Sequence, residues 1–95
     1  MKRKFMIEDV LSAIKGMLLC NIGNVYEVLN FLTGDNLYTH QLPRAGRQCE
    51  QLVYIQHPFL KDIDVSDINP ENWQEKLACI KSKYPNEIEL IPIND

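Results

Sequence analysis

Apolar residues recur at helical spacing in four separate segments of this chain, and turn-forming residues separate these segments. The first segment shows the pattern most clearly, because its apolar side chains fall at i, i+3, i+4 and i+7 and so share one face. These residues are Ile7, Val10, Leu11 and Ile14. Each such segment predicts a helix with one buried face, so we expect about four helices.

Glycine and asparagine mark the ends of the first two helices. Gly16 is expected to end helix one, because glycine is the usual residue just past a helix C-terminus. Helix two is predicted over Val25–Leu32, with Asn24 as its N-cap and Gly34 as its stop. The short apolar stretch Met17–Cys20 between the two helices is expected to be a buried extended segment or a connector.

Proline marks the ends of the other two helices. Helix three is predicted from Pro43 to about Gln56, because proline suits the first turn of a helix and His57-Pro58 disfavours its continuation. The sequence Asn69-Pro70-Glu71 predicts the start of helix four, with an amide N-cap and proline at the first helical position. This helix is expected to bury Trp73 and Leu77.

Short strands complete the predicted fold. Phe5–Ile7 and Glu87–Ile93 are predicted strands, and the alternation of Ile63 with Val65 allows a third. The fold class is therefore α+β, with about four helices and a small two- or three-stranded sheet in a single domain over residues 1–95.

The composition is that of an ordinary folded domain. Of the 95 residues, 45% are hydrophobic and 24% charged. None of the apolar runs approaches the roughly 20 residues that a membrane-spanning helix needs. Three widely spaced cysteines, Cys20, Cys49 and Cys79, lack metal-binding spacing and are expected to be reduced and mostly buried. We therefore expect a cytoplasmic protein with no metal site, no cofactor and no membrane partner.

Charge is distributed unevenly along the chain. Residues 58–95 carry four lysines and eight acids in a chain of formal net charge −3. Extended nucleic-acid binding needs a clustered basic face, which the sequence does not offer. We therefore expect no direct contact with duplex DNA or RNA, whereas the acidic C-terminal third could cover a basic surface of another protein.

Residues 33–47 form the candidate site, because they concentrate directional hydrogen-bonding groups between turn residues. The candidate ligand-binding residues are Asp35, Asn36, Tyr38, Thr39, His40, Gln41, Arg44 and Arg47. Arg44 and Arg47 lie one helical turn apart near the predicted start of helix three, where free amides and the helix dipole favour an anion. Two guanidinium groups there could grip a phosphate or carboxylate, and Tyr38 or Tyr26 could stack on a base. This set predicts a phosphorylated or nucleotide-like ligand.

A purely structural interpretation of the same segment stays open. Asp35 and Thr39 could cap helix ends, and His40 could be a buried imidazole bonded to a backbone carbonyl. Arg44 could form an ion pair with Glu50.

No catalytic residues are predicted. His40 has no serine or cysteine beside it in the sequence, and Asp35 is the only carboxylate of the segment. The glycine-rich phosphate-binding patterns are absent as well. An enzyme such as a nucleotide hydrolase therefore ranks third among the function classes.

Parts of the chain resemble a family of small phage and prophage proteins without an assigned function. The resemblance covers roughly residues 5–60 and is most specific in the motif T-G-D-x-x-[FY]-T-H-Q-L-P-R, which the chain matches at residues 33–44. Shorter similar stretches are Glu8–Ser12, Val25–Asn30 and Asn69–Trp73. The resemblance implies an accessory phage gene expressed in the cytoplasm of a bacterial host. By analogy with other small accessory phage proteins, it also implies a countermeasure to host immunity.

Two function classes follow. In the first, residues 33–47 sequester a small anionic, nucleotide-like ligand such as an immune signal. In the second, the protein inhibits a host immune effector protein by direct contact through its acidic surface, in the manner of an anti-CRISPR protein. In either class the chain could form a homodimer or a higher homo-oligomer.

Overall fold

The computed structural model describes residues 2–15, 19 and 21–92, and within these it has four helices and one two-stranded sheet. The predicted α+β class is therefore confirmed. In chain order the elements are β1 (Arg3–Met6), α1 (Ile7–Lys15), α2 (Ile22–Thr33), α3 (Leu42–Gln56), α4 (Trp73–Lys83) and β2 (Glu87–Leu90). Single 3₁₀ turns at Thr39–Gln41 and Pro58–Asp62 precede and follow α3.

The sheet joins the two ends of the described chain. β1 and β2 run antiparallel, with Arg3 opposite Leu90 and Phe5 opposite Ile88. Phe5, Ile88 and Leu90 are buried against the helices. The alternation of Ile63 with Val65 does not form a third strand among the described residues. Instead, an irregular linker packs the buried Ile63 and the half-buried Val65 against the core.

The core lies between α1, α2 and α3, and its helical periodicity agrees with the sequence pattern. The predicted apolar face of α1 is buried along its whole length, as is the matching face of α2. The buried α2 residues are Val25, Val28, Leu29 and Leu32. α3 contributes Ala45, Cys49 and Val53 to the same core. These contacts hold the three helices together and fix the surface on which the candidate segment, residues 33–47, lies.

Two predicted helix starts were wrong by a few residues. The N-cap of α2 is Asn21 rather than Asn24, because the Asn21 Oδ1 atom accepts a hydrogen bond from the Gly23 amide at 3.0 Å. The side chain of Asn24 donates to the Asp9 carboxylate instead, at 3.2 Å. Gly34 ends α2 as predicted, in the left-handed conformation with φ of 75°. The predicted cap Gly16 lies outside the described residues.

The start of α4 also differs from the prediction. Asn69 does cap a turn, since its Oδ1 atom accepts hydrogen bonds from the amides of Glu71 and Asn72 at 2.9 and 3.0 Å. The α-helix itself begins at Trp73, because Asn72 closes this turn by accepting from the Asn69 amide at 2.7 Å. Trp73 is only half-buried there.

None of the helices in the described part of the chain is long and apolar enough to cross a membrane.

Candidate functional site

The candidate segment connects α2 to α3 and is held by short-range hydrogen bonds. The Leu37 amide donates to Asn30 Oδ1 at 2.9 Å, which ties the segment to α2. The Tyr38 amide donates to Gln41 Oε1 at 2.8 Å and so fixes the 3₁₀ turn that leads into α3. The turn after Gly34 is supported by Thr33, whose Oγ1 atom accepts from the Asp35 amide at 3.3 Å. The backbone of the segment is therefore held by the side chains of Thr33 and Gln41 within it and of Asn30 in α2.

All eight predicted ligand-binding residues are exposed. Tyr38 is 70% exposed, and its ring stacks on the ring of His40 with centroids 6.0 Å apart and planes 4° from parallel. The Tyr26 hydroxyl shares a hydrogen bond with Thr39 Oγ1. The alternative of a buried His40 does not hold, because that imidazole lies on the surface. Tyr38 and His40 thus form a stacked, exposed aromatic pair just before α3.

Arg44 and Arg47 point from the first two turns of α3. Neither side chain forms an ion pair or hydrogen bond with any of the described residues. The alternative of an Arg44–Glu50 pair is therefore not formed, and Glu50 instead accepts a long hydrogen bond from the Tyr54 hydroxyl at 3.4 Å. Both guanidinium groups are therefore unpaired within the described part of the chain.

A cavity of about 550 Å³ opens between α1, α2 and α3 beside this segment. Its walls are largely apolar and include Ile14, Val25 and Leu29. The candidate segment contributes four lining residues, Leu42, Pro43, Gly46 and Arg47. Of the eight predicted ligand-binding residues, only Arg47 lines it. The structure therefore divides the predicted set into one cavity residue and seven residues on open surface.

Lys15 and Arg47 supply positive charge to this cavity, and Glu50 supplies one acceptor. The Lys15 ammonium lies 5.1 Å from the centroid of the Tyr54 ring on α3, which is a cation–π contact. Cavities of this size with apolar walls and a few polar groups are typical of small-molecule sites. The arrangement suits a ligand with an apolar or aromatic body and an anionic end.

Sequence reasoning missed Lys15. A usable signal was present, because Lys15 directly follows the buried Ile14 at the end of α1 and so lies beside the apolar face. What the sequence could not show was that α3 would bring Arg47 to the same cavity.

The cysteines differ from the prediction in one respect. Cys49 is buried in α3, and burial raises the pKa of its thiol from 9.0 to about 11. Cys79 was expected to be buried but is exposed on α4, because it lies outside the face of that helix that carries the buried Ile80. Cys20 lies outside the described residues. Within the described part of the chain, no three Cys, His, Asp or Glu side chains converge as metal ligands would.

A smaller cavity of about 260 Å³ lies in the acidic C-terminal third and is lined by Asp62, Asp64 and Asp67 among others. The Lys76 ammonium bonds Asp67 Oδ2 at 2.7 Å and lowers the pKa of that carboxyl group. Two hydrogen bonds from Ser66 lower the pKa of Asp64. These carboxyl groups are therefore ionised near neutral pH, which keeps the surface negative.

Comparison with curated proteins and with solved structures gives no match. A family model does match: residues 5–63, which include α1, α2, the candidate segment and α3, fit the model described as Domain of unknown function (DUF7736). Because the match covers more than half of the 95 residues, the chain belongs to the DUF7736 family.

Proposed function

We propose that this protein is a small binding protein that sequesters an anionic, nucleotide-like ligand where residues 33–47 border the α1–α2–α3 cavity. The observation that carries the proposal is that two cationic residues, Lys15 and Arg47, both line a largely apolar cavity. The apolar walls can pack against a base or another flat group of the ligand. The two cationic side chains can bind the phosphate of the ligand.

Each part of a nucleotide has a suitable partner at this site. A phosphate at Arg47 can also pair with Lys15, the other cation that lines the cavity. The Glu50 carboxylate can accept a hydrogen bond from an exocyclic amino group of a base. Charged hydrogen bonds of this kind contribute about 1.5–3 kcal/mol each, enough for micromolar binding together with apolar burial.

The proposed biological setting comes from the motif at residues 33–44 and its resemblance to small phage and prophage proteins. We infer an accessory phage protein that acts in the bacterial host cytoplasm as a countermeasure to host immunity. Sequestering a nucleotide immune signal would fit that role, because it requires binding and no chemistry on the ligand.

Titration calorimetry and thermal-shift measurements test the proposal with mononucleotides, cyclic nucleotides, the uncharged nucleosides and inorganic phosphate as probes. We expect one nucleotide to stabilise the wild-type protein, with its nucleoside and free phosphate binding at least tenfold more weakly. Arg47→Ala should weaken the binding of that nucleotide at least tenfold. If no nucleotide up to millimolar concentration changes the melting temperature, the proposal is wrong.

Arg44→Ala is the matched control, since Arg44 lies on the same helix but does not line the cavity. A much smaller loss for Arg44→Ala than for Arg47→Ala supports ligand binding in the cavity. Equal losses would instead locate the ligand on the open surface formed by all eight predicted residues.

A second candidate function is inhibition of a host immune effector by direct protein contact through the acidic C-terminal third. The observation that favours it is the exposure of Asp62, Asp64, Asp67 and Glu71 on one part of the chain. Charge reversal at Asp62 and Asp64 should abolish such inhibition while leaving nucleotide binding unchanged. The two candidates are therefore separable in one set of variants.

A further inference from the structure

The cavity between α1, α2 and α3 offers a ligand one carboxylate. Of the described residues that line it, Glu50 is the only acid, and the other polar side chains are Ser12, Lys15 and Arg47. Lysine and arginine side chains donate hydrogen bonds and cannot accept them. The Ser12 hydroxyl is already engaged, because it donates to a backbone carbonyl of α1 and accepts from the Leu19 amide, each at 2.7 Å. Glu50 is therefore the main side-chain acceptor for a ligand in this cavity.

The Glu50 carboxylate keeps most of its capacity to accept hydrogen bonds. Arg47 lies one turn earlier on the same helix, yet the two side chains form no ion pair in the described part of the chain. The Tyr54 hydroxyl donates to Glu50 Oε2 at 3.4 Å, which is long for a bond between two oxygen atoms. A carboxylate has about four acceptor positions on its two oxygens. Both Glu50 oxygens can therefore accept a further hydrogen bond from a ligand.

A carboxylate that accepts through both oxygens selects a ligand with two neighbouring donors. Guanine has such a pair, because its N1–H group lies beside its 2-amino group on the Watson–Crick edge. Adenine and cytosine place a ring acceptor beside their amino group, and uracil and thymine flank one N–H group with two carbonyls. These acceptors would face a carboxylate oxygen and be repelled. Guanine is therefore the nucleobase whose edge is complementary to Glu50.

We propose that Glu50 is the specificity-determining residue of this cavity and that the ligand is a guanine nucleotide. The N1–H and 2-amino groups of guanine donate to the two carboxylate oxygens, and the phosphate pairs with Lys15 and Arg47. This inference rests on the proposed function, since it places a nucleotide in the same cavity. It goes beyond that function by naming the base and the residue that selects it.

A cationic guanidine compound fits the same cavity less well. It also presents two parallel N–H donors to a carboxylate. Its positive charge would be repelled by Lys15 and Arg47, which line the cavity together with Glu50. A guanine nucleotide has the same donor pair on a neutral ring, and its phosphate is complementary to the two cations.

Titration calorimetry of the full wild-type chain tests the base preference with four probes. These are guanosine, inosine and adenosine monophosphate, and agmatine as the guanidine compound. Inosine monophosphate differs from the guanine nucleotide only by the missing 2-amino group. Losing one hydrogen bond to a charged acceptor weakens binding by about tenfold or more. We therefore expect guanosine monophosphate to bind at least tenfold more tightly than the other two nucleotides, and agmatine not to bind.

Glu50→Gln should change which base is preferred. The glutamine oxygen can accept from an N1–H group, while its amide can donate to the 2-oxo group of xanthine. Binding of guanosine monophosphate should fall at least tenfold and binding of xanthosine monophosphate should rise at least fivefold. The melting temperature should stay unchanged, because glutamine still accepts from the Tyr54 hydroxyl. Glu27→Gln is the matched control, since this exposed α2 residue does not line the cavity and should alter neither affinity.

The results separate this inference from the proposed function. If adenosine or inosine monophosphate binds as tightly as guanosine monophosphate and depends on Arg47, the guanine assignment is wrong and the proposed function stands. An equal loss of all nucleotides in Glu50→Gln would show that Glu50 does not select the base. Agmatine binding that depends on Glu50 would also overturn the assignment. If no nucleotide binds, both proposals are wrong. Should Glu50→Gln fail to fold, the wild-type comparison of guanosine with inosine monophosphate decides the question.

Discussion

Gly46 of α3 packs directly against the backbone of Ala13 in α1. A Cβ atom added at Gly46 would lie 2.5 Å from the carbonyl oxygen of Ala13. No real Cβ atom tolerates that distance to backbone, so this glycine sets how closely the two helices approach. Because Ala13 and Gly46 also line the cavity, the same contact determines the width of the candidate ligand site.

We therefore expect Gly46→Ala to force α1 and α3 apart and to lower the free energy of unfolding by about 1–3 kcal/mol, as overpacked cores do. Gly23→Ala is the matched control, because its Cβ would meet only Asn21 Oδ1 at 3.6 Å. That variant should be neutral or stabilising, since alanine has a higher helix propensity than glycine. Urea denaturation measures both, and a Gly46→Ala protein as stable as wild type would contradict the close packing.

Ser12→Ala should destabilise the protein although alanine is the better helix former. The buried Ser12 hydroxyl accepts a hydrogen bond from the Leu19 amide at 2.7 Å and donates to the Glu8 carbonyl at 2.7 Å. Its removal leaves a buried N–H group without its partner, which costs about 1–3 kcal/mol. Thermal denaturation checks this. Ser82→Ala serves as the control, because Ser82 is exposed and should change the melting temperature little.

The thiols of Cys49 and Cys79 should react at very different rates. Burial and a pKa near 11 keep Cys49 protonated and inaccessible at pH 8, whereas Cys79 is exposed. A thiol reagent should therefore label Cys79 rapidly in the native protein and Cys49 only in denaturant. Single-cysteine variants measured by mass spectrometry distinguish the two, and rapid native labelling of Cys49 would show that α3 opens.

The raised pKa of Cys49 also predicts a pH dependence of stability. Between the ordinary thiol pKa of 9.0 and the folded value of about 11, the unfolded chain loses its thiol proton while the folded chain keeps it. Unfolding is therefore favoured as pH rises through this window, by about 2–3 kcal/mol in total. The measurable quantity is the stability of wild type minus that of Cys49→Ala, which should decline from pH 9 to pH 11. A constant difference would contradict the burial of an un-ionised thiol.

Gln56 should control the end of β2. Its side-chain amide donates to the Ile91 carbonyl and accepts from the Ile91 amide, both at 2.9 Å, and so pairs with the chain beyond the strand as another strand would. Gln56→Ala should accelerate hydrogen exchange at the Ile91 amide and lower stability by about 1–2 kcal/mol. Gln51→Ala on the exposed side of the same helix should leave that exchange rate unchanged.

Local pattern was sufficient to predict much of the helical framework. The apolar face of α1, the left-handed stop at Gly34 and the end of α3 before Pro58 depend on neighbouring residues only, and the structure agrees with all three. The start of α4 shows the limit of this reasoning. Asn69 and Asn72 both offer an amide oxygen to nearby backbone, and only the folded geometry decided that the helix begins after the second.

The sequence by itself determined which segments are helical, that residues 33–47 are polar and turn-rich, and which family the chain belongs to. Only the tertiary structure decided that β1 pairs with β2. It also decided that Lys15 and Arg47 line the same cavity while Arg44 does not. The physical reason is that periodicity and capping act over one or two turns. Contacts between distant segments depend instead on how all the buried faces fit together around one core.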